Sequence, residues 1–364
     1  MELSKIVITG GPCAGKTTAM SWIQNAFTQK GYTVLFVGET ATEFIRGGVA
    51  PWTCGSNVEY QKVQLKMQIE KEKLFEQAAK TMKSEKILIV CDRGALDNRA
   101  YMNELEFAEV LKYVGSNEVE LRDGYDAVFH LVTAAKGAEE FYTTANNAAR
   151  TESVEEAREL DDRLIAAWTG HPHLRVIDNA TDFSVKMRRL ITEISSFLGE
   201  PAPYENKRKF LIDYPDILHL ESMPNCVRVE IIQTYLKSAA GKEFRIRQRG
   251  KDGHFIYFQK MERGGGEPEK VDIERRLSQE EYLKLLMEAD TSMRQIRKTR
   301  YCLTYRNRYF EIDVYPFWKD KAILKVPVRD EDGDIKFPKF ITVQGEITDD
   351  ERYRNISLAA NRDL

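Results

Sequence analysis

Residues Gly10 to Thr17 read G-G-P-C-A-G-K-T, which matches the spacing G-x-x-x-x-G-K-[ST]. That spacing lets backbone N–H groups close around phosphate oxygens. Gly10, Gly11, Pro12, Cys13, Ala14, Gly15, Lys16, Thr17 and Thr18 are therefore expected to cradle a nucleotide. Lys16 would reach the β- and γ-phosphates, and the Thr17 hydroxyl would take Mg²⁺. A second candidate pair, Asp92 and Arg93, stands in C-D-R-G. An acid there orients Mg²⁺ or accepts a proton from an attacking hydroxyl, and Arg93 contacts a substrate phosphate or acceptor. Glu39 is similarly placed after another apolar run. For all three the plain alternative is a surface ion pair.

The polar stretch 138–164 carries Arg150 and Arg158. A lid that brings an arginine to the transferring phosphoryl group is a common need of kinases, and Arg150 is assigned that role. Arg158 is read as helix surface. G-H-P-H at 170–173 has a proline between its histidines and lacks a third ligand, so it is read as a loop.

These residues need a frame. Candidate strands are KIVITG (5–10), TVLFVGE (33–39), KILIVCDR (86–93), DAVFHLVT (126–133) and LRVIDN (174–179). Helical patterns lie between them, as at 58–83, where Val58, Val63, Leu65, Ile69, Leu74 and Ala78 recur at helical spacing. Near-continuous apolar strands alternating with helices predict a parallel sheet covered on both faces. The cradle and Asp92 then sit at strand C-terminal ends, where such sheets bind ligands.

The chain has 364 residues, which predicts two domains. A formal net charge of −3 gives no sign of bulk affinity for nucleic acid or membrane, and no DNA partner is expected. Cys13, Cys54, Cys91, Cys226 and Cys302 are scattered without a CxxC pair, which suits a reducing cytoplasm. No signal peptide and no transmembrane segment are expected.

After FLGEPAPY (197–204) the pattern changes. The expected division is a P-loop domain over 1–200, a linker over 201–221 and a second domain over 222–364. The second domain alternates with period two in CVRVEIIQTYL, EFRIRQR, HFIYFQK, EKVDIERRL, KTRYCLTY, RYFEIDVY and KAILKVPV, which predicts an antiparallel sandwich or barrel. SQEEYLKLLMEA (278–289) is a helix, with Ser278 as N-cap and Glu281 completing a capping box. Strand parity puts Arg245, Arg247 and Arg249 on one face, and likewise Asp272, Glu274 and Arg276. Lys298 pairs with Arg300 in this way, Arg306 with Arg308, and Glu311 with Asp313. Such faces meet solvent or line a polar barrel.

GGPCAGKTT, CDRG and EEFYTTANNAARTES together resemble the P-loop kinase-like ATPases related to nicotinamide riboside kinases and to nucleoside and nucleotide kinases. The resemblance implies a sheet of order 2-3-1-4-5 and a lid, with Arg150 as lid arginine. No N-K-x-D guanine signature appears (206–209 reads NKRK), so ATP is favoured, with GTP kept open. VEIIQTYL, FRIRQR, VDIERRLSQEEY, IRKTRY, YFEIDVY and GEITDDERYRNISLA resemble the CYTH, or triphosphate-tunnel, superfamily. That resemblance implies an eight-stranded antiparallel tunnel. Arg245, Arg247, Lys298 and Arg300 match its phosphate-gripping positions. Glu274, Glu311 and Asp313 match the acidic ones, which hold Mg²⁺ or Mn²⁺ for hydrolysis. The family's opening E-x-E-x-K is matched to Glu230, Ile232 and Thr234, so one acid survives. Its last E-x-E is replaced by Lys325 and Pro327.

The resulting expectation is an Mg·ATP-dependent P-loop phosphotransferase or NTPase. Its tunnel binds a polyphosphate or phosphorylated ligand through Glu230, Arg245, Arg247, Glu274, Lys298, Arg300, Glu311 and Asp313, with weak or no hydrolysis. Its partners are then the nucleotide and either a small phosphorylated acceptor or a polyphosphate. One alternative is a nucleotide-switched protein that recognises an anionic ligand such as a phosphoinositide, with peripheral membrane contact. Another is a bifunctional kinase and triphosphatase.

Overall fold

The computed structural model of the chain describes residues 2–142, 153–200, 207–237, 244–263, 271–327 and 335–361. The chain divides into two units, Met1–Ala202 and Pro203–Leu364. Arg150 lies outside the described residues.

In the first unit, β1 (Glu2–Gly10), β2 (Thr33–Val37), β3 (Lys86–Asp92), β4 (Ala127–Leu131) and β5 (Leu174–Ile177) form a parallel sheet of order β2-β3-β1-β4-β5. Ile6, Val7 and Ile8 are fully buried, as are Leu88 to Cys91. Both faces of these strands are covered, so an unbroken apolar run is what they require. Helices α1 (Lys16–Gln29) and α7 (Phe183–Phe197) pack Ile23, Phe27, Met187, Leu190 and Ile194 against Ile6, Ile8, Val90 and Phe129. The remaining helices are α2 (Thr40–Arg46), α3 (Asn57–Thr81), α4 (Glu104–Val114), α5 (Glu118–Arg122) and α6 (Val154–Trp168).

Helix α3 corrects one expectation. Val63 and Leu74, two of the apolar residues that recur at helical spacing, are exposed rather than part of a covered stripe. Alongside Leu65, the buried face carries Gln61, Gln64, Gln68 and Glu72. Gln68 and Glu72 are hydrogen-bonded there, as buried polar groups usually are. Gln68 Nε2 donates to the Arg93 carbonyl at 3.3 Å, and Asn98 Nδ2 donates to Gln68 Oε1 at 3.1 Å. The Tyr125 hydroxyl donates to Glu72 Oε1 at 2.9 Å. A polar seam thus fixes α3 against the end of β3, where the candidate site lies.

The second unit is built on a nine-stranded antiparallel sheet of order β10-β9-β8-β7-β11-β12-β13-β6-β14. Its strands are β6 (Lys207–Asp213), β7 (Cys226–Tyr235), β8 (Phe244–Lys251), β9 (His254–Arg263), β10 (Val271–Leu277), β11 (Ile296–Tyr305), β12 (Arg308–Val314), β13 (Lys321–Pro327) and β14 (Val343–Glu346). Helices α8 (Ile217–Ser222), α9 (Gln279–Leu286) and α10 (Asn355–Ala360) accompany it. Ser278 and Glu281 form the capping box of α9. Residues 207–213, expected within a linker, are instead a strand paired on both sides, to β13 and β14. The charged stretch was misleading because alternate residues, Phe210 and Ile212, enter the core. Arg306 does not share a strand face with Arg308. It turns with Asn307 between β11 and β12, both at positive φ. The charged alternation there comes from a tight hairpin.

All five cysteines are free thiols. Among the described residues no helix is long and apolar enough to cross a membrane.

Trp168 is fully buried, meets Tyr125 edge-on at 5.4 Å and points Nε1 at Asp97 Oδ1 from 3.4 Å. Trp168→Ala is expected to destabilise the first unit by about 3–5 kcal/mol. Urea unfolding followed by circular dichroism would measure this, and a change below about 1 kcal/mol would show that the site's floor does not depend on this ring.

Candidate functional site

Strand β1 ends at Gly10, and the chain turns into α1 at Gly15, which has a left-handed φ of 92°. No side chain caps α1, and its first turn has no acid. The free N–H groups and the positive helix end therefore face the loop, which favours an anion. Lys16 opens the helix, and Thr17 and Thr18 are exposed. Burial and the nearby Arg93 guanidinium lower the Lys16 pKa, against the pull of Glu39, Asp92 and Asp97. An arriving phosphate would relieve that repulsion.

The loop is held from behind by Asp161. One carboxylate oxygen accepts the Gly11 N–H at 3.0 Å and the Thr133 N–H at 3.1 Å, and pairs with His130 Nε2 at 2.9 Å. The other takes Lys136 Nζ at 3.0 Å. Burial opposes this charge, but His130 and Lys136 outweigh it and hold the Asp161 carboxyl well below its usual range. A Cβ on residue 11 would stand 2.8 Å from Asp161 Oδ1, so only glycine allows the approach. Lys186 braces the other end, donating to the carbonyls of Ala14 at 3.1 Å and Val132 at 2.7 Å, and to Asn179 Oδ1 at 2.7 Å. Burial lowers Lys186 to about 8.

Asp161 was missed in the sequence because it sits in a charged stretch. Its signal is positional: it falls within the apolar stripe of Ala157, Leu160, Leu164, Ile165 and Trp168, all buried. Arg158, read as helix surface, donates Nε to the Ala135 carbonyl at 2.6 Å and pairs with Glu139 at 2.9 Å. In the G-H-P-H loop, His171 is buried, with Nε2 2.9 Å from the Tyr125 carbonyl oxygen, a structural role.

At the ends of β2 and β3 stand Glu39, Asp92 and Arg93. Arg93 has a left-handed φ of 67°, and its Nε donates to Glu39 Oε1 at 2.5 Å. Its Nη1 lies 3.9 Å from Asp97 Oδ1. Although burial works the other way, Arg93 and Lys16 hold Glu39 down at about 2. The Arg93 charge is thus committed to two carboxylates, which counts against the expected grip on a substrate phosphate. Burial raises the Asp92 pKa despite Lys16, and among the described residues its buried Oδ1 has no hydrogen-bond partner. With the exposed Thr17 hydroxyl, that oxygen suits an Mg²⁺ held mainly through nucleotide phosphates.

In the second unit, register puts the charges on one face. Arg249 opposes Ile231, and Ile231 opposes Lys298. Arg300 opposes Asp313, Glu311 opposes Lys325, and Lys325 opposes Lys209. On the other wing Arg245 opposes Lys260, which opposes Glu274. Arg247 pairs with Glu274 at 2.5 Å. The middle of this face is covered, where Arg249, Lys298, Arg300, Glu311 and Asp313 are all buried, while Arg245 and Arg247 are half-buried and Glu274 is exposed. Tyr235, Ile296, Tyr315 and Ile323 pack with Leu358 and Ala359 of α10.

Asp313 takes Lys298 at 2.7 Å, the Arg300 guanidinium at 2.7 and 3.0 Å, and Lys325 at 2.9 Å. Glu311 takes Arg300 at 2.7 Å and Lys207 at 3.5 Å. Four cations thus surround two carboxylates. Burial disfavours both carboxylate charges, yet these cations, Arg300 foremost, keep both acids ionised. Burial and the neighbouring Lys325 and Arg300 push Lys298 well below the usual lysine range. The acids are committed to cations, so they do not fit a divalent metal. Among the described residues no group of three or more His, Cys, Asp or Glu side chains is placed to hold one.

Glu230 is not part of this face. It lies opposite Thr299 and Gly250, on the side of Tyr301 and Leu303, and pairs with Arg228 at 2.7 Å. On this face β6 contributes Lys207 and Lys209, with Lys209 opposite Lys325; in the sequence Glu205, Lys207 and Lys209 share the E-x-E-x-K spacing, with lysine at the middle position. Glu205 lies outside the described residues.

The family model described as "AAA domain" matches residues 5–186, half of the 364 residues. The chain belongs to this family. The AAA domain thus carries the Gly10–Thr17 cradle, Asp92 and Asp161. No curated protein matches the chain. Crystal structures similar to part of it include two of one protein. "The crystal structure of the hypothetical protein NE1496" is 26% identical, over 43% of this chain and 99% of that one, with a TM-score of 0.33. "The crystal structure of the inorganic triphosphatase NE1496" is 26% identical, over 43% of this chain and 95% of that one, with a TM-score of 0.31.

Asp161→Ala is expected to raise the Kd for Mg·nucleotide at least about tenfold, since it leaves buried N–H groups and a charge unpaired at a cost of about 3–5 kcal/mol. Asp161→Asn, which keeps an acceptor oxygen, should lose less. Titration with a fluorescent nucleotide checks both. Wild-type affinity in a folded Asp161→Ala variant would mean that the cradle does not need this brace.

Proposed function

We propose that the AAA domain, over about residues 1–200, is an Mg·ATP-dependent phosphotransferase or NTPase. The sheet of the second unit, in this reading, binds a polyphosphate or phosphorylated ligand and hydrolyses it poorly or not at all. The observation that carries the first half is the buried, unpartnered Asp92 Oδ1 at the end of β3, close enough to Lys16 to feel its charge. Bound Mg²⁺ would offset charge on the β- and γ-phosphates. Lys16 and the N–H groups of Cys13 to Thr17 would position the phosphates, and Asp92 would orient the metal shell or take the acceptor proton. ATP is preferred to GTP in this proposal. The free cysteines support a cytoplasmic setting.

The second half rests on the four cations that surround Glu311 and Asp313. Phosphate oxygens gain strong charge-assisted bonds from such a set without a metal. Arg245, Arg247, Lys298, Arg300, Lys207, Lys209 and Lys325 would grip the ligand, and Glu274, Glu311 and Asp313 would hold the cations in place. The same commitment of the acids favours a second reading, in which the chain is a nucleotide-switched binding protein.

Lys16→Ala should abolish nucleotide turnover with the fold intact. Asp92→Asn should lower kcat far more than nucleotide affinity, because its role belongs to the transition state. Steady-state kinetics and nucleotide titration separate the two effects. Equal losses in kcat and affinity would make Asp92 a ground-state ligand.

Tripolyphosphate should bind the full-length Lys16→Ala variant, weaken as salt rises, resist EDTA and remain uncleaved with Mg²⁺ or Mn²⁺. In the free protein, burial and neighbouring cations depress Lys298 and Lys209 below 10.5. An anion raises them again, so binding should take up protons in alkaline buffer below 10.5, and affinity should fall as pH rises through the depressed values. Calorimetry in buffers of different ionisation enthalpy reads this uptake. Rapid metal-dependent cleavage, or binding without proton uptake, would overturn this assignment.

A further inference from the structure

Lys186 stands on α7 behind the nucleotide cradle and is 3% exposed. Its ammonium reaches oxygens of three separate segments. They are the Ala14 carbonyl of the cradle at 3.1 Å, the Val132 carbonyl after β4 at 2.7 Å and Asn179 Oδ1 after β5 at 2.7 Å. Asn179 in turn gives its Nδ2 to the carbonyls of Thr133 at 2.7 Å and Lys136 at 2.9 Å. An ammonium has three donor hydrogens and no lone pair, which is what three acceptors need. A neutral amine has two hydrogens and one lone pair. One of the three oxygens would then lose its donor and face that lone pair, a costly arrangement in the interior. The full set of bonds therefore belongs to the charged lysine alone.

We propose that Lys186 is a positioning residue for nucleotide binding: its third proton holds the cradle in its binding shape, and loss of that proton releases the loop and lowers nucleotide affinity. This rests on the nucleotide reading above. The Ala14 carbonyl and the Gly15 N–H belong to one planar trans peptide and point opposite ways. Tying the carbonyl back to α7 thus fixes the N–H at the entry to α1, the helix end that favours an anion. Burial lowers Lys186 to about 8, against Asp161 and Asp178, which favour its charge, while Arg189 works with burial. The other ionisable groups on the elements around it are His130 and Lys136, both bonded to Asp161, Arg175 of β5, paired with Glu193 of α7, Asp182 at the start of α7, and Cys13 and Lys16 of the cradle. The Lys186 charge is present below about 8 and is lost as pH rises through that value, so the cradle's affinity has an alkaline limit there. A bound phosphate adds negative charge, favours the protonated lysine and moves the limit upward.

The test titrates the full-length protein with a fluorescent ATP analogue and Mg²⁺ between about pH 6.5 and about pH 9.5, with circular dichroism at each pH to confirm the fold. Near pH 6.5, Lys186→Met should bind at least about tenfold more weakly than the wild type, because its side chain donates nothing to the three oxygens. Near pH 9.5 the two Kd values should come within about twofold, because the wild-type lysine is then neutral as well. Lys16 and the nucleotide titrate in both proteins, so the ratio of the two Kd values removes their share. Asp178→Asn takes away a carboxylate that favours the Lys186 charge and should move the alkaline fall in affinity to lower pH. The charges that act on Lys16 are Arg93, Glu39, Asp92 and Asp97, so this shift reports on Lys186. A Kd ratio that stays constant with pH would make Lys186 a structural residue only, and equal affinities near pH 6.5 would remove it from the cradle altogether. An alkaline fall that stays in place or moves upward in Asp178→Asn would equally overturn the proposal, and this arm decides alone if Lys186→Met does not fold. A wild type that binds no analogue at any pH would end the nucleotide reading, and this proposal with it.

Discussion

A loop shaped to cradle phosphate must hold that shape when no phosphate is present, and its own sequence cannot do this. The buried carboxylate of Asp161 does it from below. It gathers the Gly11 and Thr133 N–H groups, His130 and Lys136 onto two oxygens. A buried charge is tolerated only when it is bonded in this way. The geometry of the cradle therefore depends on where α6 lies, and α6 is placed by Leu160, Leu164, Ile165 and Trp168 in the core. Lys186 performs the converse task on α7, satisfying three carbonyl-type oxygens at the other end of the loop.

The two units present positive charge by different means. In the first, the field comes from aligned backbone dipoles and one lysine, with Glu39 and Asp92 close by. In the second, it comes from side chains on a covered sheet face, where four cations outnumber the two acids they hold. Removing those acids would leave buried cations in mutual repulsion, so Glu311 and Asp313 offset the cost of burying that charge. Their role is to keep Lys298, Arg300 and Lys325 in place rather than to offer oxygens to a metal.

Much of the scaffold was legible because each element answers to a local rule. The five parallel strands declare themselves by unbroken apolar runs. Gly15 and Lys16 declare the helix start, and Ser278 with Glu281 declares α9. Strand parity also grouped Arg245 with Arg247, Lys298 with Arg300, and Glu311 with Asp313. Local rules failed where the partner was remote. The polar Gln61, Gln64, Gln68 and Glu72 carry no local sign of burial, yet they lie on the buried face of α3, and groups at the end of β3 and beyond satisfy two of them. Residues 207–213 read as a linker because β13 and β14, which pair with them, lie more than a hundred residues away.

The sequence by itself determined the nucleotide cradle, the alternation of strand and helix in the first unit and the parity of charges in the second. Each depends on residues within one turn or one strand. Only the tertiary structure decided which face of the antiparallel sheet is covered, that Glu230 lies off it and that Lys207 and Lys209 lie on it. Parity says which residues share a side but not which side is buried, and register between distant strands settles that. The pairing of Arg93 with Glu39 was decided in the same way. Two strand ends become neighbours only when β2 packs beside β3, and the guanidinium then belongs to the carboxylate it meets there.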